Sequence, residues 1–342
     1  MLDISIINSV SKVKLSSEEK YRLYQHLTSE DFGFNDFEFF VKHKIHYLLI
    51  KHILDLGLIT QINKNLAILL SEQLSFLQLR IEEYEKIMYV LSKELFKNNI
   101  KYAVLKGFSL INDLYNINGT YYRRFNDVDL LIAKEDISKI TTILNENGFI
   151  QGRIKEGNRL VPASRRELIF WSLNSHQEHK FVSQSQYTKF SRRLYNAIDI
   201  NFTIFEGGKQ EPLIATKEIL KHTRLQIFKK FSFLSLDYTY EFLELCYNFY
   251  KDTQYEIKKK SHDNICLIKF CDIHEYYLKH QKNIDWILFK EILINFNISE
   301  EIYFVLKMIV AFYQDFLLQK QLIDMGYCDN KMPDYNFEKI LN

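Results

Sequence analysis

Residues 123–132 read RRFNDVDLLI, placing two aspartates one residue apart at the head of an otherwise apolar run. In a strand, residues i and i+2 face the same side, about 6.6 Å apart. The alternation therefore predicts a strand with Val128, Leu130 and Ile132 against a core, and Asp127 and Asp129 together on the opposite face. A second run, YNAIDINFTIF over 195–205, alternates in the same way. Ile198, Ile200, Phe202 and Ile204 share one face, and Asp199 shares the other with Ala197, Asn201 and Thr203. If the two strands are neighbours in one sheet, three carboxylates converge on one open face.

Carboxylates held together repel, and their pKa values rise unless a cation compensates. A divalent ion supplies that charge. Oxygen ligands in this number suit Mg2+ or Mn2+, which keep several waters and bind phosphate oxygens beside one or two carboxylates. An Asp-x-Asp also fits a solvated strand face, and the pair alone leaves both readings open.

Upstream, AVLKGFSL over 103–110 is an apolar strand that stops at Lys106-Gly107 with a helix following at once. A glycine at such a turn lets backbone N–H groups approach a phosphate, and the helix N-terminus adds its positive end. Lys106 offers a point charge, and Arg123 or Arg124 a guanidinium fork for triphosphate oxygens. A plain strand-to-helix turn with a solvated lysine fits the same residues. The order is the informative part: lysine–glycine turn, Asp-x-Asp, then a lone strand aspartate.

The flanking segments are helical by pattern. SSEEKYRLYQHL opens with a serine cap and acids in its first turn, and residues 65–99 carry apolar side chains at three- and four-residue spacing. After DVDLLI, the segment KEDISKITTILNENGF is an amphipathic helix with Gly148 at its C-cap, whereas NINGT is a loop by composition. Strands and helices alternate over about 105 residues and close on Gly207-Gly208. From Pro212 onward the pattern is helical again. These shifts divide the chain into an N-terminal helical region (1–99), an α/β core (100–208) and a C-terminal helical domain (209–342).

Bulk properties bound the function. The 342 residues carry 45 basic and 43 acidic side chains, a net charge of +2 that disfavours nucleic acid as a partner. Cys246, Cys266, Cys271 and Cys328 form no C-x-x-C pair and are expected to be buried reduced thiols. The N-terminal residues lack an apolar signal region, and the most apolar late run is broken by Lys307 and Asp315, so a soluble cytoplasmic protein without membrane contact is expected.

Together VLKGFSL, the following LY, RRFNDVDLLI, a helix ending in NGF, and IDINF make the chain resemble the uncharacterised nucleotidyltransferases of the polymerase-β-like superfamily. Weaker similarity in LSKELFKNNIKYAVLKG and in FCDIHEYYLKHQKNIDWILF, with Asp272 and Trp286, extends it over most of 80–290. The resemblance implies an α+β fold: a mixed-sheet nucleotidyltransferase core with helical regions before and after. It also implies metal-dependent transfer of a nucleoside monophosphate from a triphosphate such as ATP to an acceptor hydroxyl, with release of pyrophosphate. By position it assigns Asp127, Asp129 and Asp199 to metal and catalysis, and Lys106, Gly107 and Arg123 to the nucleotide. There are departures. Gly107 is followed by Phe108 rather than Ser or Gly, Asp127 comes twenty residues after it, and Asn201 stands where the family often has histidine. The acceptor is not encoded in these motifs; a small molecule, a peptide and a protein all fit. A non-catalytic nucleotide- or partner-binding protein on the same fold is the alternative, though such a protein has no reason to keep three repelling acids.

Other residues carry less. His176 and His179 in HQEHKF are expected to be exposed loop histidines. Arg165, Arg166, Arg192 and Arg193 are expected to be solvated, or to receive an anionic acceptor. His262, Asp272 and His274 match no metal-ligand spacing.

Overall fold

A computed structural model describes residues 2–155, 159–189, 192–205, 212–259, 266–326 and 337. The expected Gly207-Gly208 turn, Cys328, His262 and the side chains of Arg192 and Arg193 lie outside the described residues. In chain order the strands are β1 (Tyr102–Leu105), β2 (Asn116–Ile117), β3 (Thr120–Tyr121), β4 (Val128–Ile132) and β5 (Ile150–Lys155). They continue with β6 (Arg159–Pro162), β7 (Phe181–Lys189), β8 (Arg192–Asn201), β9 (Thr223–Phe228) and β10 (Phe231–Leu236).

Contacts divide the chain into two units that cut across the sequence order. One comprises Met1–Leu77, Asp113–Arg124 and Leu245–Asn342, the other Gln78–Asn112 and Phe125–Glu244. The second unit is an α+β structure on one mixed sheet of order β6-β5-β7-β8-β4-β1-β10-β9. β4 runs parallel to β8 and β1 parallel to β10; the remaining pairs are antiparallel. β1 and β4 are buried at every residue, as central strands covered on both faces must be. Within β4, Val128, Leu130 and Ile132 are fully enclosed as the alternation predicts, but Leu131 is equally buried on the face of Asp129.

The helix Ile137–Glu146 ends as its sequence predicts. Gly148 takes φ +80°, and the Phe149 N–H returns to the Leu144 carbonyl at 2.9 Å.

The first unit is helical apart from a two-stranded hairpin of β2 and β3. The capping box at Ser16 and Glu19 starts the helix Ser17–Leu27 as expected. NINGT is not an irregular loop. Asn118 and Gly119 take φ +51° and +85°, the pair of left-handed residues that a two-residue hairpin turn requires. Cys246, Cys266 and Cys271 are buried and form no disulfide among the described residues. Among the described residues no helix is long and apolar enough to cross a membrane.

The region expected to be wholly helical from 209 onward contains the β9–β10 hairpin, and β10 enters the sheet beside β1. Its turn is Lys229-Lys230, with Lys229 at φ +47°; no Gly or Asn marks it, so TRLQIF and FSFLSL carry no turn signal between them to set a hairpin apart from the helical segments around it. Likewise the polar, Arg-rich stretch before β8 holds β5, β6, the helix Arg165–Asn174 and the nine-residue β7.

One buried hydroxyl ties the strand ends together. Tyr84, 1% exposed, donates from Oη to the Asn126 carbonyl at 2.7 Å and accepts the Ala197 N–H at 3.0 Å. Asn126 adjoins Asp127, and Ala197 precedes Asp199 by two residues. Tyr84→Phe leaves both backbone groups without that partner and is expected to cost about 1–3 kcal/mol, read as a lower urea midpoint with unchanged far-UV dichroism.

Candidate active site

Parallel pairing of β4 and β8 sets Asp129 against Asp199 and Leu131 against Asn201. Neighbouring strands are about 4.8 Å apart, so the two carboxylates share one patch of the sheet face. Asp127 is in the bend that leads into β4 rather than in the strand itself. Antiparallel β7 flanks β8 with Phe181 opposite Ile198, and one further step of that register puts Lys180 across from Asp199.

The acids are met by lysines from two different elements. Lys180 Nζ lies 3.0 Å from Asp127 Oδ2 and 3.4 Å from Asp199 Oδ2. Lys106 Nζ lies 3.2 Å from Asp129 Oδ1, which also accepts from Asn201 Nδ2 at 3.3 Å. Lys106 opens the helix Lys106–Asp113 directly after β1 and takes φ +45°, a left-handed conformation that is costly for a side chain with a Cβ. The Ser109 hydroxyl steadies that turn. It lies 2.7 Å from the Lys106 carbonyl and 2.6 Å from Glu241 Oε1, and Arg224 Nη2 pairs with the other Glu241 oxygen at 2.7 Å. Gly107 follows, buried in the first helical turn.

Burial, with Asp129 alongside and Asp127 near, pushes Asp199 up to about 7 against the pull of Lys180. Asp129 moves the other way. Burial alone would raise it, but Lys106, Asn201 and Lys180 bring it below the ordinary carboxylate range. Both lysines lose by burial and gain more from the carboxylates: Asp129, Glu244 and Asp127 hold Lys106 up, and Asp199 and Asp127 hold Lys180 up. Of the Asp129–Asp199 pair, Asp129 therefore holds its charge firmly and Asp199 is poised to protonate near neutrality.

Among the described residues no three His, Cys, Asp or Glu side chains are disposed as a ready metal-ligand set. Lys106 and Lys180 supply the positive charge that a divalent cation would supply. The donor chemistry fits a hard cation in a two-carboxylate form. Asp129 and Asp199 adjoin, and Asp199 Oδ1 is buried without a hydrogen-bond partner among the described residues. Mg2+ is commonly held by one or two carboxylates with waters and phosphate oxygens completing the shell.

Arg123 and Arg124 belong to the first unit, and Arg124 is exposed. The fork of Arg123 is engaged by Asp272: Nε donates to Oδ1 at 2.7 Å and Nη2 to Oδ2 at 2.5 Å, with the Tyr115 hydroxyl on Oδ1 at 2.6 Å. His179 is buried, its ring edge-on to Trp171 at 5.7 Å, and is not the exposed loop histidine expected. Sequence pattern passes over Lys180, whose place beside the acids comes from the β7–β8 register. The signal available was a lysine at the head of the run FVSQSQYTK, nineteen residues before Asp199 on the strand it pairs with.

A mixed sheet with in-register acids on neighbouring strands, and a lysine turn entering a helix beside them, has the form of a nucleotidyl-transferring fold. The family described as uncharacterised nucleotidyltransferase matches residues 38–314, and the chain belongs to it. That span contains Lys106, Gly107, Arg123, Arg124, Asp127, Asp129, Lys180, Asp199 and Asp272. No curated protein and no solved structure matches the chain.

Two outcomes follow from these pairings. Asp272→Ala strands the buried Arg123 charge and is expected to cost about 3–5 kcal/mol by urea denaturation. Asp199, raised in the folded state from 3.8 to about 7, weakens folding as pH climbs through that interval, because ionisation costs the folded state and not the unfolded chain. Asp199→Asn removes the penalty. Its stability relative to the parent is expected to be greater at about pH 8 than at about pH 5 in paired urea titrations.

Proposed function

We propose that the chain is a divalent-metal-dependent nucleotidyltransferase. It moves a nucleoside monophosphate from a nucleoside triphosphate, ATP among them, to an acceptor hydroxyl and releases pyrophosphate. What supports this above all is the Asp129–Asp199 pair, in register on parallel strands with a lysine at each side.

Asp129 and Asp199, with Asp127 at the edge of the patch, are the residues that would hold Mg2+ or Mn2+. Such an ion, when bound, neutralises phosphate charge and makes the α-phosphorus more electrophilic. Lys106 and Lys180 exchange carboxylate partners for β- and γ-phosphate oxygens, where lysine acts as a point charge. The turn at Lys106-Gly107 opens the helix Lys106–Asp113, whose first N–H groups have no partner within the helix and can donate to phosphate.

The acceptor oxygen attacks the α-phosphorus, and the bond from that phosphorus to the α–β bridging oxygen breaks. Pyrophosphate departs with the bridging oxygen and its electron pair. The hydroxyl proton passes to the carboxylate of Asp199, which stands next to Asp129 in the patch. Positioning and charge complementarity carry most of the acceleration. The acceptor is a small molecule, a peptide or a protein bearing a hydroxyl; near-neutral net charge disfavours nucleic acid.

The test is to incubate the chain with each α-phosphate-labelled triphosphate, Mg2+ or Mn2+, and fractionated cell extract, and to follow transferred label. Asp127→Asn with Asp129→Asn is expected to reduce transfer by roughly a hundredfold or more. Transfer by that variant at the parent's rate would remove the acids from the reaction. Lys180→Ala is expected to raise the triphosphate KM by about tenfold, from the loss of one charge-assisted phosphate contact.

A further inference from the structure

The first unit carries a second concave and charged site. The segment 11–16, the first turn of the helix Ser17–Leu27 and the end of the helix His46–Asp55 enclose a cleft of about 450 Å³. Lys14, Lys20 and Lys51 line it against a single carboxylate, Asp55. Three lysines against one aspartate leave two positive charges in the hollow.

The neighbouring acids offset them only in part: Glu275, which accepts the Val13 N–H at 2.8 Å, is half-buried and its pKa is raised by that burial. Glu19 is taken by Lys12 at 2.6 Å and Glu18 by Arg22 at 2.8 Å. Lys51 is 6% exposed, forms part of the wall, and reaches Asp55 Oδ2 at 2.8 Å. Lys14 and Lys20 are exposed and make no ion pair among the described residues. His52 Nε2 lies 2.9 Å from the Lys12 carbonyl, anchoring the loop that carries Lys14. Burial and the adjacent Lys51 hold His52 down to about 4, so the ring is neutral and adds no charge. Val13, Leu15 and Leu56 supply apolar wall between the cations.

Like charges gathered in a hollow repel unless a ligand of opposite charge occupies it. Lysine ammoniums act as point charges without the planar fork that selects carboxylates, so charge density decides what they hold. A phosphate monoester carries about −1.5 to −2 at neutral pH, which balances the two excess charges. The volume is that of a small-molecule site, in the range of roughly 300–1,000 Å³. We propose that this cleft binds a small phosphate monoester whose apolar or ring body lies against Val13, Leu15 and Leu56. The site is built from the first unit alone, needs no metal, and does not depend on the function assigned to the acids.

The test is calorimetric titration of the full chain with phenyl phosphate in EDTA, with phenyl sulfate as the monoanionic control. EDTA removes any metal-dependent phosphate binding by the acids. One saturable site per chain is expected, weakened by about tenfold or more when Lys14→Glu and Lys20→Glu reverse two charges, and weaker for phenyl sulfate. The Asp127→Asn, Asp129→Asn variant is expected to bind as the parent does. If the charge reversal impairs folding, Lys14→Gln with Lys20→Gln takes its place and must still weaken binding. Absence of saturable binding, binding undiminished in both lysine variants, equal affinity for the sulfate, or loss in the aspartate variant would each overturn the proposal.

Discussion

The second unit is organised around an electrostatic constraint: Asp129 and Asp199 occupy paired positions on adjacent parallel strands, in a sheet whose neighbouring residues are buried. Two carboxylates there cannot both ionise without help. Lys106 comes from the turn after β1, Lys180 from the approach to β7, and Asn201 from the end of β8. Two lysines from other elements, and an asparagine from β8 itself, thus converge on one pair of charges. Tyr84, from the helix Lys64–Lys97, fixes the backbone on both sides of the pair.

The same constraint explains the unfavourable backbone at Lys106. A residue with a Cβ at φ +45° costs about 1–2 kcal/mol relative to a right-handed conformation. The turn is nevertheless held by Ser109, Glu241 and Arg224, all enclosed within the same unit. Strain that is over-determined by its surroundings is usual where a side chain must be presented at a fixed point. Here the point is Asp129, and in the proposed reaction it becomes a phosphate.

The acids were legible because strand alternation is local: VDLLI and AIDIN each show which side chains share a face. The belonging of Asp129 with Asp199 needed only that the strands be neighbours, and β4 and β8 are. What alternation cannot show is register between distant strands, and Lys180 enters the site by register alone. The β9–β10 hairpin was hidden for another reason: its Lys229-Lys230 turn takes a left-handed residue without the Gly or Asn that signals one. Arg123 shows a third limit. Its type and spacing suit phosphate, but its partner Asp272 lies 149 residues away and no local pattern predicts the pair.

The central claim is that Asp129 and Asp199 together bind a divalent cation with a triphosphate. It is tested most directly by titrating Mn2+ with the chain in the presence of a non-hydrolysable triphosphate and following the paramagnetic resonance of the free ion. The parent chain is predicted to remove that signal saturably, and Asp129→Asn and Asp199→Asn each to abolish the effect while remaining folded. Free Mn2+ unchanged by the parent, or bound equally by both variants, would contradict the account.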